Sequence, residues 1–287
     1  MNIRRNVAIG PAHIVLALFL LALTAVAQEK KEKKEFSYAV GPGAVISITN
    51  NYGPITVSPS GSSQVVVEAV SHSDAVNLVN EQHGDRIEIR SISSRAGTNL
   101  VDYTVLVPSA AFVSLRSSDG TLKAQGLRGD VVLEAASGSV EVTDISDAHL
   151  HVKTLSGPIT LTDIRNSHLD VHSVSGDVNL HNVTGPSVEV NSGSGRIFYD
   201  GDPGRLGEYL LSSHTGDLEV SIPASAWVNI KAHSIKDQSD PEFPTAGSGS
   251  SAEQFKMGKI NLMGKSGKIG SRFELRSFSG KIHLKRP

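Results

Sequence analysis

The sequence predicts an all-β fold, a single-domain parallel β-solenoid (β-helix) with about nineteen residues per coil, and three observations predict it. Short stretches alternate apolar with polar residues, as in Leu150/Val152 and Ile159/Leu161. A glycine signature returns at a nearly constant interval. Beyond residue 36 no segment carries a capped 3.6-residue apolar period, and the weak helical candidate, Ala75 to Glu81, is too short to stand alone. The composition agrees with this reading. Of 287 residues 39% are hydrophobic, enough to bury a core, while 27 glycines and only 5% aromatics favour tight turns and small or β-branched packing residues.

Arg4 and Arg5 precede an apolar run, Ile14 to Ala27, that ends in Ala25-Val26-Ala27. A charged start, a short apolar stretch and a small-x-small end describe a secretory signal peptide, 1–27, cleaved after Ala27. As a helix the run reaches about 21 Å, short of the roughly 30 Å hydrocarbon core. Once it is removed, no membrane span is expected. Residues 28–35, Gln-Glu-Lys-Lys-Glu-Lys-Lys-Glu, have no apolar face and read as a solvated charged leader. The solenoid is expected over 36–287.

The repeat shows best where Ala148–Ile164 aligns without a gap on Ser167–Val183. Gly120, Gly138, Gly157, Gly176, Gly195 and Gly216 mark it, Gly280 closes it and Gly53 opens it. Each repeat holds two strands around a Ser-Gly turn, where glycine is expected to supply a positive φ. An antiparallel meander would also fit two strands per repeat. A solenoid, however, demands ladders of like residues, and Val152, Val171 and Val190 make one, with Ile164 and Val183 a second. A longer echo pairs Val107-Pro-Ser-Ala-Ala-Phe-Val with Ile222-Pro-Ala-Ser-Ala-Trp-Val, 115 residues apart and so near the same coil phase. Proline there marks a corner. A polar excursion at about 234–258, with Pro241, Pro244 and Gly-Ser-Gly-Ser, reads as a flexible loop.

The candidate chemistry is sparse. The chain has no cysteine, which excludes disulfides, thiolate metal sites and Cys nucleophiles, and a net charge of −2 carries no basic footprint for nucleic acid. His149 and His168 would stack on adjacent coils with His151 and His172 nearby, but they alternate with Leu150, Leu169 and Val171 and so face solvent, with no third ligand fixed by spacing. Asp144, Asp163 and Asn182 form another ladder. Shared Ca²⁺ is one reading, and side chains capping turn N–H groups is the simpler one. Trp227 aligns with Phe112, which argues for a repeated packing position over a sugar-stacking platform. The Gly-Ser runs at Gly193 and Gly247 and the Gly-Lys-Ser after Met263 lack the flanking residues of nucleophile or phosphate motifs. This reading assigns no catalytic residue, no metal site and no cofactor, and it leaves the binding residues open.

The leading Asn51-Tyr-Gly-Pro-Ile-Thr-Val57, the Asp102-Tyr-Thr-Val-Leu-Val-Pro108 step, the Ser/Asp-Gly repeats and the secretory leader together resemble the bacterial candidate-adhesin family of β-strand-repeat proteins, whose function is unknown, and the related autotransporter-adhesin-like head domains. The resemblance spans about residues 36–287 and is tightest over 100–222. It implies a β-solenoid displayed outside the cytoplasm and, since that family has no established catalytic motif, transfers no active-site residue. The expected function is therefore a secreted, non-enzymatic binding module, with cell-envelope polysaccharide or a surface protein as its partner. The alternatives are a stress-linked envelope scaffold that binds protein and a carbohydrate-active lyase or hydrolase.

Overall fold

Alternation makes each half-repeat a strand with one buried face. In Ile159–Arg165, Ile159, Leu161 and Ile164 are buried while Thr160 and Thr162 are half-buried on the outer side. The computed structural model describes residues 31–94, 97, 99–234, 239–241, 259–263 and 270–285. Its strands are β1 Glu32–Ala39, β2 Val45–Tyr52, β3 Ile55–Ser60, β4 Gln64–Ser71, β5 Val76–His83, β6 Arg86–Ser93, β7 Val101–Pro108 and β8 Phe112–Asp119. There follow β9 Leu122–Gln125, β10 Val131–Ala135, β11 Val140–Ser146, β12 His149–Thr154, β13 Ile159–Arg165, β14 His168–Ser173, β15 Val178–Val183 and β16 Ser187–Ser192. The last are β17 Ile197–Asp200, β18 Glu208–Ser213, β19 Leu218–Ser221, β20 Val228–Ser234, β21 Ser239–Pro241, β22 Lys259–Met263, β23 Ser271–Ser277 and β24 Ile282–Lys285. Among the described residues no helix is long and apolar enough to cross a membrane.

From β8 to β19 odd and even strands separate into two facing sheets, each strand pairing in parallel with the strand two further on. One coil is therefore an even strand, a Ser-Gly turn, an odd strand and a corner: a β-solenoid. The register stacks like on like. Val131, Leu150, Leu169, Val188, Tyr209 and Phe273 form one interior column, and Val140, Ile159, Val178, Ile197, Leu218 and Ile282 another. All twelve are almost fully buried. At about 1.5–3 kcal/mol for each large apolar side chain removed from water, these columns hold the two sheets together. Tyr199, Tyr209 and Phe273 form an aromatic plug where the coil widens, Tyr209 stacked on Phe273 at 4.4 Å.

The repeat glycines do a different job from the one the sequence suggests. Gly120, Gly138, Gly157, Gly176, Gly195, Gly216 and Gly280 have no positive φ. Instead each lies so close to the coil before it that a Cβ would enter the carbonyl oxygen of the preceding glycine, in an unbroken column that starts at Gly53. Glycine is required for close backbone approach. The positive φ falls on the Asx ladder, with Asp144 and Asp163 both at 56° and Asn182 at 53°. Asp and Asn tolerate this left-handed conformation best among residues with a side chain. The kink there puts Leu161 and Ile164 both inside although they are three residues apart.

The ends depart from a simple coil. The β2–β3 coil lies between β6–β7 and β8–β9, and the β23–β24 coil between β18–β19 and β20–β21. The connections β7→β8 and β19→β20 therefore each step over one coil. These are the two copies of the proline-aromatic echo, and each turns on the same hydrogen bond, Ala111 N–H to the Pro108 carbonyl and Ala226 N–H to that of Pro223. Antiparallel pairs occur at the ends, β1 with β4, β4 with β7, β5 with β6 and β20 with β22. The segment Glu32–Glu35, read from sequence as part of the leader, is strand in β1, where Lys33 meets Glu68 at 2.9 Å and has its pKa raised by that hydrogen bond. The expected signal peptide, 1–27, lies outside the described residues, as does most of the loop expected at 234–258.

Candidate functional site

On the sheet that holds the even strands from β8 to β18, each strand gives alternate side chains to the outside. The register turns them into columns along the solenoid. One column runs Arg116, Glu134, Lys153, His172, Asn191, Ser212 and Arg276. Beside it, three residues before each repeat glycine, lies a buried column of Asn50, Ser117, Ala135, Thr154, Ser173, Ser192, Ser213 and Ser277, polar at every place but Ala135. These side chains satisfy the turn: Ser173 and Ser192 donate to the carbonyls of Gly176 and Gly195, and Thr154, Ser213 and Ser277 accept from the N–H groups of Gly157, Gly216 and Gly280. A serine inside a strand reads from sequence only as turn vocabulary, so this column goes unseen there.

The residue after each member of the buried column turns outward. This third column runs Ala136, Leu155, Val174, Gly193, His214 and Phe278, its backbone laddered between coils. Leu155, Val174 and Phe278 are 57%, 55% and 49% exposed, a ridge of apolar side chains in water. Between this ridge and the charged column runs a groove with two hollows in line. The first, about 340 Å³, is lined by Arg116, Glu134, Lys153, Leu155 and Val174 among others. The second, about 330 Å³, is lined by Asn191, Ser212, His214, His233, Arg276 and Phe278 with three serines of the buried column. His214 stacks on Phe278 at 4.7 Å with the rings 12° apart.

The predicted histidine ladder forms on the outer face of the same sheet. His149 and His168 stand in register and stack at 4.8 Å. His151 Nδ1 is 3.0 Å from one oxygen of Asp170, and His172 Nε2 is 3.0 Å from the other. His149 pairs with Asp130 at 3.1 Å. Each imidazole thus meets another coil or a carboxylate, and among the described residues no group of three or more His, Asp or Glu is placed to hold a metal ion. The Asx ladder lies on the opposite sheet. There Asn182 donates to Asp163, and Arg165 to Asp144, so these side chains bond one another across coils and cap no turn N–H. Trp227 and Phe112 take equivalent places at the step-over corners. Gly270 packs directly on the backbone of Trp227, and both rings are half-buried.

Two facing sheets, stacked coils and outward polar columns define an all-β solenoid of a recognisable class. The chain belongs to the Toastrack DUF4097 family, whose model matches residues 44–285. Among solved structures it is similar to a candidate adhesin from Bacteroides fragilis, with 11% identity, 90% of this chain and 99% of that one covered, and a TM-score of 0.49. It is also similar to a candidate cell adhesion protein from Clostridium sporogenes, with 15% identity, 89% and 100% covered, and a TM-score of 0.30. No curated protein matches the chain.

Proposed function

We propose that this protein is a secreted, non-enzymatic binding module of the cell envelope, and that its groove between the charged column and the Leu155–Phe278 ridge takes a polysaccharide chain lengthwise. The groove carries the reading. Its hollows combine exposed apolar side chains, which suit the C–H faces of sugars, with Arg, Lys, Glu, Asn and Ser side chains that suit hydroxyls. The repeat supports it as well, because a periodic polymer matches a periodic surface. The leader at 1–27 supports export. Purified residues 28–287 incubated with insoluble microbial and plant polysaccharides should co-sediment without releasing reducing sugar. Release would overturn the non-enzymatic assignment, and a failure to sediment with any polymer would overturn the glycan. A second reading, a scaffold that binds protein by strand addition, is favoured by β5, which ends its sheet with most of its residues exposed.

A further inference from the structure

The end of the solenoid that holds β1 and β5 is stepped. Counting outward from the β2–β3 coil, one sheet continues through β7, β4 and β1, and the other through β6 and β5 alone. β1 therefore projects one strand past β5, and among the described residues no strand lies beyond either. Phe36 on β1 and Val76 and Leu78 on β5 pack against the core there but stay only half-buried, whereas the columns behind them are sealed. Repeat arrays need their terminal units capped. Neither edge is guarded. β5 has no Lys, Arg or Pro, and it pairs with β6 residue for residue without a bulge. On β1 the lysines are held within their own copy, Lys33 by Glu68 at 2.9 Å and Lys34 by Glu32 at 3.2 Å. The open backbone groups follow from the register. Val40 N–H to the Ser63 carbonyl extends the β1–β4 ladder, and Ser94 N–H to the Ala75 carbonyl extends β5–β6. Antiparallel ladders bond at alternate residues. Lys33, Glu35, Ser37 and Ala39 thus turn their N–H and C=O groups to the free edge of β1, and Val76, Leu78, Asn80 and Gln82 turn theirs to the free edge of β5.

We infer that this end docks on the same end of a second copy, related by a twofold axis that runs along the strands midway between the sheets. That rotation exchanges the two sheets, so β1 of each copy enters the step beside β5 of the other and both gaps close at once. A strand from a different protein would fill only the place beside β5. The rotation keeps every residue's position along the strands, and the bond from Tyr38 O–H to Asn80 Oδ1, at 3.0 Å, sets those positions. β1 runs with β7 and β5 runs against β6, so β1 and β5 point the same way and pair in parallel across the joint. Phe36 of one copy then lies beside Leu78 of the other on the inner face, and Ser37 beside Val79 on the outer face. The ladder closes in phase, because Leu78 meets the open groups of Glu35 and Ser37 on either side of Phe36. No like charges fall together: Glu35 lies beside Asn77, and Glu81 beside Ala39. The joint is independent of the glycan reading. Light scattering on the purified chain over a dilution series should give about twice the mass of one chain, falling on dilution. Ser37→Pro removes one outward N–H at an exposed edge position and should return the mass of one chain with the β-sheet circular dichroism signal intact. The chain has no cysteine, so Ser37→Cys mixed with Val79→Cys should give a covalent dimer with a short bis-maleimide, and neither variant alone should. The mass of one chain at every concentration overturns the joint, as does a dimer that Ser37→Pro leaves unchanged. Cross-linking of either cysteine variant alone as readily as the mixture overturns it too, and this test holds even if Ser37→Pro fails to fold.

Discussion

A methyl group added to Gly157 would enter the carbonyl oxygen of Gly138, and both atoms belong to backbone that is laddered on each side. Gly157→Ala should therefore lower stability by about 1–3 kcal/mol, read as a shift in the urea midpoint. The same substitution class separates two roles at Asp163. Asp163→Ala loses the bond from Asn182 and keeps the strained φ, while Asp163→Gly loses the bond and relieves the φ. If conformation dominates, the glycine variant keeps about 1 kcal/mol that the alanine variant loses; equal losses would assign the position to its hydrogen bond. Tyr103 makes a third case. Its hydroxyl is buried and makes no hydrogen bond of ordinary geometry, with the Ser91 side chain as a polar neighbour, so Tyr103→Phe should be neutral or stabilising. A loss above about 1 kcal/mol would mean that the hydroxyl is bonded. From the sequence the glycine spacing was plain, but its cause was not. Linear spacing reports that a residue must be small or bent and does not tell close approach from positive φ, and the φ proved to lie six residues along, in the Asx ladder.

Strand by strand, the hydroxyl column and the cross-coil charge pairs set the register. Ala135 is the member of the buried column with no polar side chain, and its neighbour Ser117 has a hydroxyl with no partner among the described residues. Ala135→Ser supplies the missing group beneath Gly138 and should raise stability by about 0.5–1.5 kcal/mol, whereas Ser173→Ala strips the Gly176 carbonyl of its donor and should cost about 1–3 kcal/mol. Calorimetric melting of both variants checks the pair, and a destabilised Ala135→Ser would refute the column's role. Arg116–Glu134, Lys123–Glu141 and Lys285–Glu219 bridge neighbouring coils at 2.6–2.9 Å. Most of these side chains are well exposed, worth about 0.2–1 kcal/mol a pair, so their service is to penalise a slipped coil more than to add stability. The strands and their parallel stacking were legible because like residues recur at one interval. The step-over corners were half legible: the echo of Val107-Pro-Ser-Ala-Ala-Phe in Ile222-Pro-Ala-Ser-Ala-Trp gave their phase, but coil order in space is not written in a period. The groove was not legible, because Leu155 and Val174 look in sequence like any other apolar repeat positions.

For the molecule as a whole, alkali is the sharpest probe of the core. Burial pushes Tyr103 and Tyr209 each up to about 12, and Tyr199 further in the same direction. In the unfolded chain a tyrosine ionises near 10. The native state thus holds protons that the unfolded state gives up, and stability falls as pH rises from about 10 to 12. At about 1.4 kcal/mol per unit, each of the two contributes a loss of roughly 2–3 kcal/mol by the top of that window. The tyrosinate absorbance of Tyr103, Tyr199 and Tyr209, three of the five tyrosines, should therefore appear together with loss of the β-sheet circular dichroism signal; ionisation of these three with the sheets intact would show that the rings are not sealed. The step-overs have a mechanical consequence. The coils nearest the two ends of the described chain, β2–β3 and β23–β24, are each clamped between two others, and the outermost coils are built from later or earlier sequence. After the edge strand β1 gives way, a pull on the chain before β2 must slide β2 against β6 and β8 together. A pull beyond β24 likewise works against β19 and β21 at once. Load shears paired ladders where a plain coil would peel one strand at a time, so this solenoid is built to hold under tension applied along its own chain.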